Sequence, residues 1–230
     1  MIRREPLGRP LLAPAAEAAV VARPRLEKRL FDLCLGSVCL VLTSPLLVVV
    51  ALLVRLTSPG PALFRQVRVG RGGRPFMLYK FRTMYDGSPS DVHREYVSRL
   101  LADDQPPAGG RRGLYKLEDD ARITPLGRLL RRSSIDELPQ LFNVIRGEMS
   151  LVGPRPALPW EAEVMARTHA HRFHCLPGLT GLWQVSGRSR LTMRQALDLD
   201  VDYARRQSIR LDLLILLKTV PAVLATHDAS

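Results

Sequence analysis

Cysteine is scarce in this chain of 230 residues, and its spacing does not suit the usual cysteine chemistry. Cys34, Cys39 and Cys175 form no C-x-x-C pair, and three cysteines cannot all pair within one disulfide framework. The sequence therefore excludes a disulfide-stapled secreted domain and indicates a reducing compartment.

Several familiar site motifs are also absent. The chain has no Walker A loop, no G-x-G-x-x-G, no G-x-S-x-G and no D-x-D in a strand context. The D-x-D-x-D run at 198–202 has the pattern of one solvated face. Three histidines near Cys175 match neither zinc-finger nor H-E-x-x-H spacing, and we assign no role to His169, His171 and His174.

Acidic residues are too few to balance the basic ones. The sequence has 22 Asp and Glu against 34 Lys and Arg, which gives a net charge of +12 and a pI near 10.6. This excess points to an anionic partner, with phosphate in some form expected. The 46% hydrophobic and 24% charged shares exclude a wholly disordered chain and a multi-span transporter, and the length predicts one compact unit with appendages.

One long stretch carries no charge at all. Residues 33–54 form an apolar run of 22 residues, LCLGSVCLVLTSPLLVVVALLV. As a helix this run would reach roughly 33 Å, which matches the hydrocarbon core of a membrane. Pro45 lies just past its middle and frees the carbonyl of Val41, so we expect a kink there. The hydroxyls of Thr43 and Ser44 are placed to cover the freed carbonyl groups.

Basic residues flank both ends of the apolar run, with Lys28 and Arg29 before it and several arginines between 55 and 74 after it. The positive-inside rule assigns both ends to the cytoplasm. We therefore predict a re-entrant helical hairpin over 25–58, broken at Ser44-Pro45, that makes the protein monotopic on the cytoplasmic face of the inner membrane. A single-pass helix with a tolerated proline is the alternative. The proline-rich residues 1–24 are predicted to be a flexible tail, not a signal peptide.

The remainder, 59–230, is predicted to be a cytoplasmic catalytic domain. The overall class is α+β, with a mostly helical domain, short strands and amphipathic interfacial helices. Gly70, Gly72 and Gly73 suit a hairpin between short strands. The segment FMLYKFRTM is predicted to be a strand whose alternation places Lys80 and Arg82 on one face. Residues 86–118 combine a short helical pattern with loop composition, and we interpret them as a peripheral insertion.

A carboxylate pair occupies the densest polar segment. Pro139 is best tolerated in a first helical turn, so a helix is predicted to begin at Asp136 or Glu137 and to close at Gly147. Asp136 would then lie at the positive end of a helix dipole, beside basic residues, where it is placed to be a nucleophile. Adjacent carboxylates point apart, so one could attack phosphorus while Glu137 holds a divalent cation. A structural alternative is a capping box formed by Ser134 and Glu137.

Other basic residues have stiff or turn-rich surroundings. Arg155 lies between two prolines, which suits a guanidinium held ready for phosphate. Arg131 precedes the carboxylate pair, and Arg188 follows the run PGLTGLWQVSG. Each alone is more typical of a solvated charge, but together with Lys80, Arg82 and the carboxylate pair they indicate a phosphate site.

Four segments occur in a fixed order: KRLFDLCLGSVCLVLTSPLLVVVALLVRLTSPGPALFRQVRVG, KFRTM, RRSSIDELPQLFNVIRGEMSLVGPRP and PGLTGLWQVSGRS. In that order they resemble the bacterial sugar transferase family, the monotopic polyprenyl-phosphate phosphoglycosyl transferases. The likeness covers about residues 26–226. Larger members carry four further N-terminal spans and a nucleotide-binding-like region, so the short tail here is expected to mark the minimal catalytic form.

The resemblance implies a reaction. Asp136 would attack the β-phosphate of a nucleotide diphosphate sugar, usually a UDP-sugar, and the phosphosugar would then pass from the aspartate to polyprenyl (undecaprenyl) phosphate. It also implies Mg²⁺ at Glu137, and phosphate or nucleotide binding at Arg131, Arg155 and Arg188. The implied partners are the nucleotide sugar, polyprenyl phosphate, membrane lipids and downstream glycosyltransferases, with no nucleic acid.

Two other functions fit parts of the sequence. A phosphatase could use Asp136 on a soluble phosphoester, although the apolar run speaks against it. A membrane-tethered protein that binds nucleic acid or anionic lipid would explain the charge of +12 without catalysis.

Overall fold

The computed structural model describes residues 26–87, 120–187 and 191–224, together with Glu95, Val97, Ser98 and Leu101. The predicted tail at 1–24, most of the predicted insertion and Arg188 lie outside the described residues. Within the predicted insertion, Val97 is completely buried in an apolar cluster with residues of the domain.

Helix α1 spans Leu26–Thr57, 32 residues, and includes Pro45. The hydroxyl of Ser44 donates to the carbonyl of Val41 at 2.8 Å, and that of Thr43 donates to the carbonyl of Cys39 at 2.7 Å. This confirms that hydroxyls cover carbonyls next to the proline. The helix is continuous through Pro45, so the predicted break is not an interruption of the helix, and the re-entrant path stays a prediction.

Both ends of α1 pack against the same domain. Near its beginning, the Lys28 ammonium lies 2.8 Å from carboxylate oxygens of both Asp32 and Asp212. Near its end, Val50 and Val54 are buried in an apolar cluster of the domain. Much of the surface of α1 between its two ends is exposed. In its most apolar window of 18 residues the mean hydropathy is 2.7, but only 11% of that window is buried. Among the described residues, α1 is the one helix long and apolar enough to cross a membrane.

The predicted β-hairpin is confirmed. Strand β1, Leu63–Val69, pairs antiparallel with β2, Pro75–Phe81, and places Phe64 opposite Lys80. A short 3₁₀ turn joins them, and Gly72 and Gly73 have φ angles of 64° and 72°, which glycine adopts without the steric cost of a side chain.

The rest of the described domain is mostly helical. Strand β3, Ser150–Val152, pairs in parallel with β4, Gly178–Thr180. The α-helices are α2, Pro125–Ser133; α3, Leu141–Arg146; α4, Pro159–His169; α5, Leu182–Ser186; α6, Met193–Arg206; and α7, Ile209–Leu224. Two 3₁₀ segments lie at Ile135–Gln140 and Ala170–His174. The mixed helix and sheet architecture agrees with the α+β prediction.

A buried hydrogen-bond chain joins α1, α6, α7 and β3. The Tyr203 hydroxyl is within hydrogen-bond distance of the Val152 carbonyl, at 2.9 Å, and of the Asp212 carboxylate, at 2.7 Å. Asp212 in turn pairs with Lys28. The outer side of α7 exposes four large apolar residues: Leu213, Leu214, Leu217 and Val220.

Candidate active site

The carboxylate pair lies on a 3₁₀ segment between two helices. Helix α2 ends at Ser133, the left-handed φ of 57° at Ser134 turns the chain, and the segment Ile135–Gln140 then carries Asp136 and Glu137. A helical segment thus begins next to this pair, as predicted, but it is 3₁₀ over Ile135–Gln140, and the α-helix α3 begins only at Leu141. Pro139 has no N–H to donate to the carbonyl four residues earlier, so the first α-helical bond is missing. Gly147, with φ 79°, closes α3 as predicted.

The capping-box alternative is also wrong. The Ser134 side chain makes no capping hydrogen bond, and the Glu137 amide donates to the Ser134 backbone carbonyl at 3.2 Å. The Glu137 side chain is therefore not engaged in a reciprocal cap and is partly exposed beside Asp136.

Strand β2 brings Lys80 to the carboxylate pair, because β2 packs against the 3₁₀ segment. Asp136 is only 5% exposed. Burial lowers the pKa of Lys80 to about 8; the charges of Asp136 and Glu137 oppose this shift, whereas those of Arg68 and Arg131 add to it. The side chains of Lys80, Arg131, Asp136 and Glu137 thus share one electrostatic environment.

Arginines complete this environment. Burial lowers the pKa of Arg131, the charge of Asp136 opposes that shift, and the charge of Arg155 adds to it. The backbone around Arg155 is fixed by two other guanidinium groups. Arg172 donates to the Arg155 carbonyl at 2.8 Å, and Arg68 donates to the Pro156 carbonyl at 3.1 Å. The structure therefore brings Lys80 and Arg131 toward the carboxylate pair, and Arg155 lies near Arg131.

Arg82 belongs to a different place. Its Nη2 donates to the Ser58 carbonyl at 2.7 Å and to the Ser58 hydroxyl at 2.8 Å, at the end of α1. Strand β2 ends at Phe81, although the Arg82 N–H still donates to the Ala62 carbonyl at 2.9 Å. Of the predicted basic residues, Arg188 lies outside the described residues.

The sequence interpretation missed the residues that hold Arg155. Arg172 pairs with Asp200 at 2.7 Å, and both are at most 3% exposed. The interpretation of the 198–202 run as one solvated face is therefore wrong for Asp200. In α6 the buried positions 193, 196, 197, 200 and 203 follow helical spacing, so a period of 3.6 would have predicted that Asp200 is buried.

The predicted magnesium site has few protein ligands. Among the residues that the structure describes, no group of three or more His, Cys, Asp or Glu side chains could hold a metal ion. Mg²⁺ commonly uses one or two carboxylates and takes its other ligands from water and substrate phosphates. The partly exposed Glu137 beside Asp136 fits an ion of that kind, bound together with a phosphate.

This arrangement suits chemistry on phosphate esters. A buried carboxylate can attack phosphorus, and the surrounding ammonium and guanidinium groups can neutralise the charge on the transferred group. Comparison with known proteins points the same way. Residues 23–226 match the family model described as bacterial sugar transferase.

Curated relatives agree with this match. The chain is 44% identical over 212 residues to UDP-glucose:undecaprenyl-phosphate glucose-1-phosphate transferase of Caulobacter vibrioides, which covers 89% of this chain and 72% of that protein. It is 39% identical over 214 residues to exopolysaccharide production protein ExoY of Rhizobium meliloti, which covers 93% of this chain and 92% of that protein.

A third relative is longer. Undecaprenyl-phosphate galactose phosphotransferase of Salmonella typhimurium is 40% identical over 206 residues, which are 89% of this chain and 42% of that protein. The predicted resemblance is confirmed, and the chain belongs to the bacterial sugar transferase family of sugar-phosphate transferase enzymes.

Proposed function

We propose that this enzyme transfers a phosphosugar from a nucleotide diphosphate sugar, a UDP-sugar, to polyprenyl (undecaprenyl) phosphate, as the first membrane step of polysaccharide or glycoconjugate synthesis. Support comes from relatives whose names specify undecaprenyl phosphate and a sugar phosphate. Downstream glycosyltransferases would extend the lipid-linked product.

The observation that carries this proposal is the buried Asp136 among cations. The carboxylate is 5% exposed, and its charge acts on both Lys80 and Arg131. Arg155, whose charge acts on Arg131, brings the cations to three, against the two carboxylates Asp136 and Glu137. A site with more positive than negative charge favours a polyanionic substrate such as a nucleotide diphosphate sugar.

The proposed reaction has two displacements. In the first, a carboxylate oxygen of Asp136 forms a bond to the β-phosphorus, the bond from that phosphorus to the bridging oxygen breaks, and the nucleoside monophosphate leaves. In the second, an oxygen of the lipid phosphate forms a bond to the same phosphorus. The acyl phosphate P–O bond breaks, and the Asp136 carboxylate is released for the next cycle.

The basic residues hold and neutralise the phosphates in both displacements. Lys80 and Arg131 would act on the transferred group. Arg155 would add a third cation, and hydrogen bonds from Arg172 and Arg68 fix the backbone carbonyls of Arg155 and Pro156. A bound Mg²⁺, which Glu137 would hold, supplies further charge neutralisation on the phosphates.

We further propose that α1 enters and leaves the membrane from one face, so that the site lies at the cytoplasmic surface. In support, Lys28 near the beginning of α1 and Val54 near its end both pack against the domain. A helix that crossed the membrane would carry one of its ends away from a domain on one side. The exposed apolar residues of α1 and α7 would face lipid.

The proposal is tested by assaying UMP release with undecaprenyl phosphate, Mg²⁺ and a panel of UDP-sugars. Asp136→Asn should abolish UMP release and covalent labelling by a sugar nucleotide radiolabelled in the sugar, because an amide is not an anionic nucleophile. The matched control is Asp198→Asn, which makes the same change on an exposed side chain of α6 and should keep both signals.

Unchanged UMP release by Asp136→Asn would overturn the mechanism. Release of inorganic phosphate instead of UMP by the unaltered enzyme would support a phosphatase. Family membership does not favour the non-catalytic alternative, which expects salt-sensitive DNA binding that Asp136→Asn leaves intact.

A further inference from the structure

A cavity of about 560 Å³ lies where α1 ends and the β1–β2 hairpin begins. Three arginines and one carboxylate line it, together with apolar side chains of the segment 61–64. The charged residues are Arg55, Arg65, Arg82 and Asp86. This cavity, which we term the hairpin cavity, is lined by none of the residues assigned to the two displacements.

Arg82 is fixed in the wall of the hairpin cavity. It is 5% exposed, and its Nη2 is held by the Val54 carbonyl and by Ser58. Its Nε and Nη1 are buried and have no hydrogen-bond partner among the described residues. A buried guanidinium with unused donors is costly unless a ligand accepts from it, and a phosphate oxygen is the usual acceptor.

The chain closes tightly around this guanidinium. A Cβ at Gly60 would lie 2.2 Å from Nη1 of Arg82, and Gly60 has a φ of 112°. Glycine is needed at this position for both reasons. Arg82 is therefore a fixed, buried cation in the wall of the cavity and not a solvated charge.

Charge complementarity selects the kind of phosphate. Three guanidinium groups and the Asp86 carboxylate give the hairpin cavity a net charge of +2. A phosphate monoester carries about −1.5 to −2 near neutral pH, whereas the phosphodiester of a simple phospholipid carries one negative charge. The cavity therefore matches a monoester better than a diester.

The surroundings indicate that the monoester carries an apolar chain. Pro61, Ala62, Leu63 and Phe64 form an apolar wall of the cavity. The last turns of α1, next to Arg55, expose Leu52, Leu53 and Leu56. A lipid tail could follow these side chains while its head lies among the arginines.

The hairpin cavity is connected to the carboxylate pair through two side chains. Phe64 lines the cavity, and the Lys80 ammonium lies 5.0 Å from the centre of its ring. Lys80 in turn shares its electrostatic environment with Asp136. A lipid phosphate that docks in the cavity would thus lie beside Phe64, and it would have to move past Lys80 to attack the phosphorus bound to Asp136.

We propose that the hairpin cavity, through Arg55, Arg65 and Arg82, binds the phosphate monoester head of the lipid acceptor. This inference rests on the proposed function for its choice of lipid. The acceptor phosphate docks against Arg82, the exposed Arg55 and Arg65 close over it, and the first part of its chain lies on the wall formed by residues 61–64.

The test measures binding without turnover, using the full chain in detergent micelles and farnesyl monophosphate as the probe. Arg55→Gln with Arg65→Gln should weaken binding of the probe about tenfold, because two charge-assisted contacts are lost at an exposed rim. Arg205→Gln with Arg210→Gln removes the same charge from exposed positions outside the cavity and should leave affinity within about twofold.

Two further ligands test whether the site binds the lipid acceptor, a membrane phospholipid or free phosphate. Phosphatidylglycerol and inorganic phosphate should compete weakly with farnesyl monophosphate, because the first is a diester and the second has no chain. Equal loss of phosphatidylglycerol and probe binding in the cavity variant would overturn the assignment to the acceptor in favour of a general anionic-lipid site. Unchanged probe binding in that variant would overturn the site itself.

A kinetic measurement separates this inference from the proposed function. The cavity variant should form the covalent intermediate at an unchanged rate and show a raised KM for undecaprenyl phosphate. A slowed first displacement would contradict the inference. Asp136→Asn should still bind the probe, so the binding result can be interpreted even if the proposed mechanism is wrong.

Discussion

Lys80 combines burial and positive charge in a way that sets its protonation near physiological pH. Burial lowers its pKa to about 8, although the charges of Asp136 and Glu137 oppose the shift. A lysine is cationic below its pKa, so a rise in pH through this value removes a positive charge from the site.

We therefore expect the kcat/KM for the nucleotide sugar to fall about tenfold per pH unit above about pH 8, because this parameter reports the free enzyme. Lys80→Arg should lose this alkaline limb, even if its plateau is lower, since a guanidinium stays protonated there. The measurement is a pH profile of UMP release for both proteins. An identical alkaline limb in Lys80→Arg would assign it to another group.

For single residues, the sequence predicts which chemical groups form the site better than it predicts what each side chain contacts. Asp136, Glu137, Lys80 and Arg131 follow from local pattern and resemblance, and in the structure they share one electrostatic environment, with Arg155 near Arg131. The sequence does not predict that Arg82 donates to Ser58, because that contact joins residues 24 positions apart.

Helices α1 and α7 are joined by one ammonium between two carboxylates. Lys28 is 5% exposed, and the Asp32 and Asp212 carboxylates are completely buried. Burial raises the pKa of Asp212, and Lys28 opposes that rise. The two helices therefore depend on a shared cation.

Lys28→Met should lower the free energy of unfolding by about 3–5 kcal/mol, because it leaves buried carboxylates without compensation. The deficit should shrink as pH falls, since without Lys28 the buried Asp212 carboxylate, whose pKa burial already raises, accepts a proton more readily in the folded state. Urea unfolding in detergent at two pH values measures both effects. Arg206→Met, which breaks an exposed pair with Asp202, should cost at most about 0.5 kcal/mol, and an equal cost for both changes would contradict this role.

At the scale of elements, the hairpin and the end of α3 could be predicted because glycine marks them, whereas the 3₁₀ segment could not. Its conformation follows from Ser134 in a left-handed region followed by Pro139 five residues later. Side-chain pattern does not reveal a positive φ at a serine, so the sequence predicts a helix start here but not its 3₁₀ form.

Among the described residues, α1 is the one helix long and apolar enough to cross a membrane, and both of its ends meet the same domain. We expect reporters fused at residue 1 and at residue 230 to lie on the same, cytoplasmic side of the membrane. Accessibility labelling of a cysteine within each reporter, in intact cells, would measure this, with the same reporter on a known single-pass protein as the control. Reporters on opposite sides would exclude the re-entrant path.

The long apolar helix and the mixed helix and sheet class could be predicted from the apolar run and the mixed patterns. Contacts between α1 and the domain could not, because they depend on pairs far apart in the sequence. Arg29, for example, donates to the carbonyls of Val144 and Ile145 at 2.6 and 2.7 Å. Nothing in either segment alone specifies the other.

The close approach at Gly36 has a mechanical meaning. A Cβ there would stand 3.3 Å from Val144, on the short helix α3 that directly follows the segment carrying Asp136. Helix α1 thus packs closely against the helix that follows the Asp136 segment. Under the proposed function, a bilayer that tilts or lifts α1 would move Asp136 with it, so lipid thickness would influence catalysis as well as attachment.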